Sequence, residues 1–231
     1  MKNRNTVNKL ATLFFVIACL ELLSPLQPVV ARHAEDNMDT SEVNAPHRQN
    51  RTSRLEYHDL WRKLWEDHIT WTRVVILAIL DDLAGAPAYT DRLLQNPGDM
   101  ADVLRPFYGE DADQLGDLIQ DHLVIAAQIL QAIHDGQPTE DLIAQWYANA
   151  NDIAAKMNQM NPEFWPLDEA QSMWREHLDA TVAEVLAHHN GDFAAEVAAY
   201  DLVHDLALEM ADFFSNGVMQ QFPNRFKGKI R

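Results

Sequence analysis

Residues 61–79, with the sequence WRKLWEDHITWTRVVILAI, decide the fold class. Apolar side chains recur there at steps of three and four residues, which places them on one stripe of an α-helix. The stripe consists of Trp61, Leu64, Trp65, His68, Trp71, Thr72, Val75 and Ile79. Because histidine is uncommon on an apolar helix face, the stretch predicts both a helix and a candidate site.

The same periodicity continues toward the carboxyl terminus. It predicts long helices over about 54–84, 111–134, 139–160, 167–189 and 193–221. Glycine and proline separate these helices, and residues 88–110 hold two short helical pieces broken at Asn96-Pro97-Gly98. Asp192 is expected to cap the last helix. We find no strand pattern. Because long amphipathic helices joined by short turns favour antiparallel neighbours, we predict an all-α, up-and-down bundle of four to five long helices with a short helical insertion after the first.

The first thirty or so residues are typical of an export signal. A basic start precedes residues 10–20, an apolar run too short to span a bilayer. We therefore expect residues 1–31 to be a signal peptide, cleaved near 31–34, and the mature protein to be exported to the periplasm or the extracellular space. A minor alternative is a lipoprotein acylated at Cys19.

Composition limits the partners of the remaining chain. Residues 35–53 contain almost no large apolar groups and are predicted to be a flexible linker, followed by one helical domain over 54–226.

The formal net charge is −17 and no basic stripe offsets it, which disfavours nucleic-acid binding. No later apolar run approaches membrane length, so we expect no transmembrane anchor in the mature chain. A protein partner cannot be named from these features.

Four histidines lie near the middle of four predicted helices: His68, His122, His177 and His204. Each lies about ten to fourteen residues from the start of its helix, and since a helix rises 1.5 Å per residue, all four are expected to share one layer. Asp201 precedes His204 by three residues on the same helix face, so the two could ligate together. The sequence therefore predicts an internal histidine-rich site.

Four further residues are expected to support this site. Thr72 and Thr181 lie one turn beyond two of the histidines and can orient a ring or a bound water. Asn149 lies at the midpoint of the remaining long helix, and Arg73 could pair with an inner carboxylate. Buried polar groups must be paired or must hold something, so these residues belong to the same prediction.

Three interpretations of the histidines compete. The first is a transition-metal site for zinc or iron, with three or four of the histidines plus Asp201 as ligands. The second is a secreted structural or interaction module whose buried His/Asp network only fixes packing. The third is a small-molecule pocket lined by histidines and tryptophans. Metal binding is our first choice, and the sequence leaves enzyme activity open.

The chain lacks the motifs of better-known sites. It has no Cys-x-x-Cys-His sequence, so no haem c is expected, and we expect no nucleotide. Its one acid-to-histidine pair at a three-residue step is Asp201-x-x-His204, which differs from the Glu-x-x-His pairs of di-iron bundles.

Residues 64–73, LWEDHITWTR, resemble the opening motif of a family of uncharacterised, often exported bacterial helical-bundle proteins. Further similar motifs are RPFYG at 105–109, Asp121-His122, WYANA at 146–150, AYDLVH at 199–204 and QFP at 221–223. The resemblance covers about 60–226 and implies a helical fold and export. It implies no activity, cofactor or partner.

Overall fold

The computed structural model describes residues 52–227, which form seven α-helices. They are α1 (Arg54–Leu80), α2 (Ala86–Leu93), α3 (Asn96–Tyr108), α4 (Glu110–His134), α5 (Glu140–Met160), α6 (Leu167–His189) and α7 (Phe193–Gln221). The all-α prediction is confirmed, and the long helices begin and end close to their predicted limits. The predicted signal peptide and all but the last two residues of the predicted linker lie outside the described residues.

A capping box begins α1. The Ser53 hydroxyl accepts a hydrogen bond from the Glu56 backbone N–H at 3.1 Å, and the Glu56 carboxylate accepts one from the Ser53 N–H at 2.9 Å. Thr52–Ser53 also form a short strand, β1, that pairs in parallel with β2 (Phe226–Lys227). This pairing joins Thr52 and Ser53 to the end of the helical domain, and the all-α class is unchanged. Two-residue strands are too short to show alternation.

Consecutive long helices pack against each other from α4 to α7, and α1 contacts both α4 and α7. Helix α3 packs against α4. Four tryptophans with at most 1% exposure lie in the core: Trp61, Trp65, Trp165 and Trp174. No helix within residues 52–227 is long and apolar enough to cross a membrane.

The core-facing side of α7 agrees only in part with the stripe that its sequence pattern predicts, which is Val197, Tyr200, Asp201, His204, Leu208, Ala211 and Phe214. Ala211 and Phe214 are buried as predicted, whereas nearer the start of the helix Val203 and Ala207 are buried in place of His204 and Leu208. One residue corresponds to about 100° of rotation around a helix. Both lines follow helical periodicity, so periodicity alone did not distinguish them.

A candidate three-histidine cavity

Three of the four predicted histidines lie at the deep end of one cavity. His68 of α1, His122 of α4 and His177 of α6 are at most 3% exposed and line a cavity of about 130 Å³. The ring centroids of His68 and His177 lie 6.0 Å apart. The structure brings these three rings together because they occupy similar heights on packed helices.

His204 and Asp201 do not line this cavity, which corrects their placement in the buried layer. The His204 side chain is 40% exposed, and its Nε2 lies 3.9 Å from Oε1 of Glu66. Asp201 is exposed. Both residues lie off the core-facing line of α7, which passes through Val203 and Ala207.

An asparagine holds the His68 ring. Asn96, at the start of α3, is fully buried, and its Oδ1 lies 2.9 Å from His68 Nδ1. Its Nδ2 donates to the Leu64 carbonyl at 2.9 Å. Leu64 precedes His68 by four residues, so Asn96 bridges the ring and the preceding helical turn.

A second asparagine holds the His122 ring in the same manner. Oδ1 of Asn149, on α5, lies 2.9 Å from His122 Nδ1, and Nδ2 donates to the Leu118 carbonyl at 3.0 Å. Leu118 again precedes the histidine by four residues. Asn149 was predicted to support the site, and in the structure it holds the His122 ring through Nδ1.

These contacts determine the tautomers of both rings. An amide nitrogen donates to a carbonyl, so the amide oxygen must face the ring and accept a hydrogen from Nδ1. Burial lowers the pKa of His68 to about 4 and that of His122 to about 3, so both rings are neutral at pH 7. A neutral ring protonated on Nδ1 has its free lone pair on Nε2. Nε2 of His122 is buried and has no hydrogen-bond partner among the described residues.

His177 has no such asparagine. Its Nδ1 is buried without a hydrogen-bond partner in the described part of the chain. Burial, together with the neighbouring His68 and His122, holds its pKa well below the ordinary value. The neutral ring carries one N–H and one lone pair, so His177 supplies a donor as well as an acceptor.

The two predicted threonines line the cavity but do not hold the histidine rings. Thr72 donates its hydroxyl hydrogen to the His68 carbonyl, and Thr181 donates to the His177 carbonyl, each at 2.8 Å. Both residues lie in the cavity wall. Because each hydroxyl hydrogen is already used, the two oxygens have only lone pairs to offer.

The remaining wall is almost wholly apolar. It comprises Ile76, Leu123, Ala126, Ile129, Leu130, Ile133, Thr139, Ile143, Trp146, Val182, Val185 and Leu186. Trp146 stacks on the His122 ring with centroids 4.9 Å apart and donates to the His122 carbonyl at 3.0 Å. From His177 to Leu186 the wall follows α6 for about 14 Å. Leu186 is 47% exposed, so the wall extends from the buried imidazoles to the protein surface.

Arg73 does not line the cavity, which corrects its assignment as a supporting residue. Its guanidinium pairs with Glu184 at 2.7 Å and Glu196 at 2.5 Å, and it lies 4.4 Å from the Tyr200 ring centroid. His188 joins the cluster with Nδ1 3.0 Å from Glu196. The expected pairing with inner carboxylates is therefore present, but it ties α1 to α6 and α7.

Sequence reasoning missed Asn96. The Asn96-Pro97-Gly98 stretch was interpreted as a helix break, whereas α3 begins at Asn96 and buries its side chain. One signal was available: Asn96 follows His68 by 28 residues, much as Asn149 follows His122 by 27.

Within residues 52–227, no three His, Cys, Asp or Glu side chains are grouped as a metal site. In comparisons with known proteins, no family model, curated protein or solved structure matches the chain. The resemblance to exported helical-bundle proteins therefore stays a prediction. Any function assigned to the cavity rests on the geometry of the cavity itself.

Proposed function

We propose that the protein binds a small, largely apolar molecule in the three-histidine cavity. The observation that carries the proposal is a cavity of about 130 Å³ whose aliphatic wall leads to three buried imidazoles. Unpaired polar atoms in a core are costly, and two ring nitrogens here lack protein partners among the described residues. A molecule with an apolar body and one polar group complements both parts of the cavity.

Size and charge restrict the ligand further. An apolar cavity of about 150 Å³ accommodates one benzene molecule, so for a cavity of about 130 Å³ we expect a ligand on the order of six or seven non-hydrogen atoms. The described wall contains no Asp, Glu, Lys or Arg side chain, and its histidines are neutral at pH 7. A charged ligand would lose its hydration without gaining an opposite charge, so the ligand is neutral.

Benzene is the direct probe of this proposal. We expect benzene to bind in the millimolar range or tighter in calorimetric titrations and to raise the thermal unfolding temperature. Ala126→Met fills the cavity and abolishes binding, whereas Ala183→Met makes the same change at an exposed position of α6 and leaves binding intact. Failure of benzene to bind up to its solubility limit would sink the proposal.

A second candidate is zinc or iron binding by His68, His122 and His177. The Asn-held tautomers favour it, because metal-bound histidines usually donate their other ring N–H to an oxygen acceptor. A site with three protein ligands leaves a coordination position for a substrate or water. Metal analysis of untagged protein tests this candidate. Less than about 0.1 equivalent of metal, with no stability gain on adding zinc or iron, would refute it.

The third interpretation from the sequence is that the buried histidines only fix the packing of the helices. This interpretation is favoured if neither benzene nor a metal binds. The matched test is the double change His122→Leu and His177→Leu. Undiminished stability and an unchanged fold would then show that packing does not need the rings, and loss of folding would show that it does.

We also propose export, on the support of the basic and apolar pattern in residues 1–31. A fusion of residues 1–34 to a reporter enzyme that is active only outside the cytoplasm tests this. An inactive reporter would contradict export, and an unprocessed but active one would contradict cleavage near residues 31–34.

A further inference from the structure

We infer that the polar group of the bound molecule is a hydroxyl, so that the ligand class is small neutral alcohols and phenols. This inference rests on the proposed function, since it concerns the same cavity. It follows from the balance of hydrogen-bond donors and acceptors around the histidines, which the tautomers of His68 and His122 determine.

Acceptors outnumber donors at the deep end of the cavity. Nε2 of His68 and of His122 each carry a lone pair, because Nδ1–H of each ring is donated to an asparagine. The hydroxyl oxygens of Thr72 and Thr181 also have only lone pairs to offer, because their hydrogens are donated to main-chain carbonyls. The one uncommitted ring N–H belongs to His177.

This balance discriminates among polar groups. A hydroxyl donates one hydrogen bond and accepts another, so it can give its hydrogen to the His122 ring and accept one from His177. An ether, ketone or nitrile only accepts and would leave the imidazole lone pairs unmatched. A carboxylate adds a negative charge among lone pairs, which raises its desolvation cost further. An ammonium group would have no carboxylate to pair with, because the described wall contains none. The nearby buried carboxylate of Glu184 lies outside the wall and pairs with Arg73.

His122 is the residue on which selectivity depends most. Its ring is held on one face by Trp146 and at Nδ1 by Asn149, so the orientation of Nε2 is set before a ligand arrives. The same Nε2 is buried without a partner in the described chain. A ligand hydroxyl there replaces a costly unpaired acceptor with a hydrogen bond.

Phenol and toluene form the matched probe pair, since a hydroxyl and a methyl group on one ring are similar in size. We expect phenol to bind at least as tightly as toluene to the wild-type protein in calorimetric titrations. In His122→Leu, the ratio of phenol affinity to toluene affinity falls about tenfold, the equivalent of one hydrogen bond. Toluene affinity stays within about twofold, which shows that the variant is folded.

Two further variants keep the test decisive. His134→Leu makes the same change at an exposed position of α4 and leaves the affinity ratio unchanged. His177→Leu removes the ring N–H from which the ligand hydroxyl accepts a hydrogen bond, and lowers the ratio even if His122→Leu does not fold. In ¹⁵N-labelled protein, phenol but not toluene shifts the His122 Nε2 resonance.

The outcomes separate the two proposals. If toluene and benzene bind but phenol binds more weakly than toluene, or if the affinity ratio is the same in wild type and His122→Leu, the hydroxyl inference is overturned while the cavity function stands. If none of the three probes binds, the proposed function itself fails.

Discussion

Acid should destabilise the metal-free protein between pH 7 and pH 5, because its core histidines take up protons only on unfolding. Burial lowers the folded-state pKa of His68 to about 4 and of His122 to about 3, against about 6.5 in the unfolded chain. Below pH 6.5 the unfolded state therefore binds protons that the folded state does not, and the free energy of unfolding falls. At pH 5 each ring costs about 2 kcal/mol.

His177 acts in the same direction, because its folded pKa also lies well below the ordinary value. The three rings together cost about 6 kcal/mol at pH 5, a large share of the 5–15 kcal/mol that stabilises a typical domain. One buried carboxylate opposes them. Burial raises the pKa of Glu184 to about 7, so its protonation in the folded state returns about 2 kcal/mol over the same range.

His188 also opposes the loss. Burial lowers its pKa, but the contacts with Glu196 and Asp81 outweigh burial and leave the pKa raised. A raised histidine pKa stabilises the folded state as pH falls. The lowered pKa values of the three histidines outweigh the opposing groups, so we expect a net loss of at most about 4 kcal/mol by pH 5.

Urea unfolding followed by circular dichroism at pH 7.5, 6 and 5 measures this loss. His122→Leu removes one histidine whose pKa is lowered by burial, so it should reduce the loss between pH 7 and pH 5 by about 2 kcal/mol. Flat stability from pH 7.5 to 5, or an identical loss in His122→Leu and wild type, would refute neutral, occluded rings.

Three further predictions follow from packing and hydrogen bonding. Long-range ¹H–¹⁵N spectra at pH 7 should show His68 and His122 protonated on Nδ1, and a proton on Nε2 of either ring would contradict the asparagine contacts. Asn96→Ala should lower the free energy of unfolding by about 2–4 kcal/mol in urea titrations, because the His68 Nδ1–H and the Leu64 carbonyl lose their hydrogen-bond partner. A loss under about 0.5 kcal/mol would count against the role of Asn96 in holding the ring. Gly217→Ala should cost about 1–3 kcal/mol in the same assay, because its Cβ would lie 2.1 Å from Nε1 of Trp165, and undiminished stability would mean that the indole moves freely.

Much of the secondary structure could be predicted because helix signals are local. The α7 start illustrates this: Asp192 was expected to cap the helix, and its side chain accepts a hydrogen bond from the Ala195 N–H at 3.1 Å. Arg73 was expected to find inner carboxylates, which it does. Which carboxylates they are could not be predicted, because Glu184 and Glu196 lie more than a hundred residues along the chain.

The sequence alone determined the helical class, the approximate helix limits and the presence of mid-helix histidines, because periodicity and caps act over a few residues. Only the tertiary structure decided which of these rings meet. Packing of α7 through Val203 and Ala207 rotates His204 to the surface, and the return of α3 against the bundle brings Asn96 to His68. Both outcomes depend on how whole helices fit together. A shift of one residue in the buried line of α7 corresponds to about 100° of rotation around the helix, and this shift leaves three histidines in the cavity where the sequence predicted four.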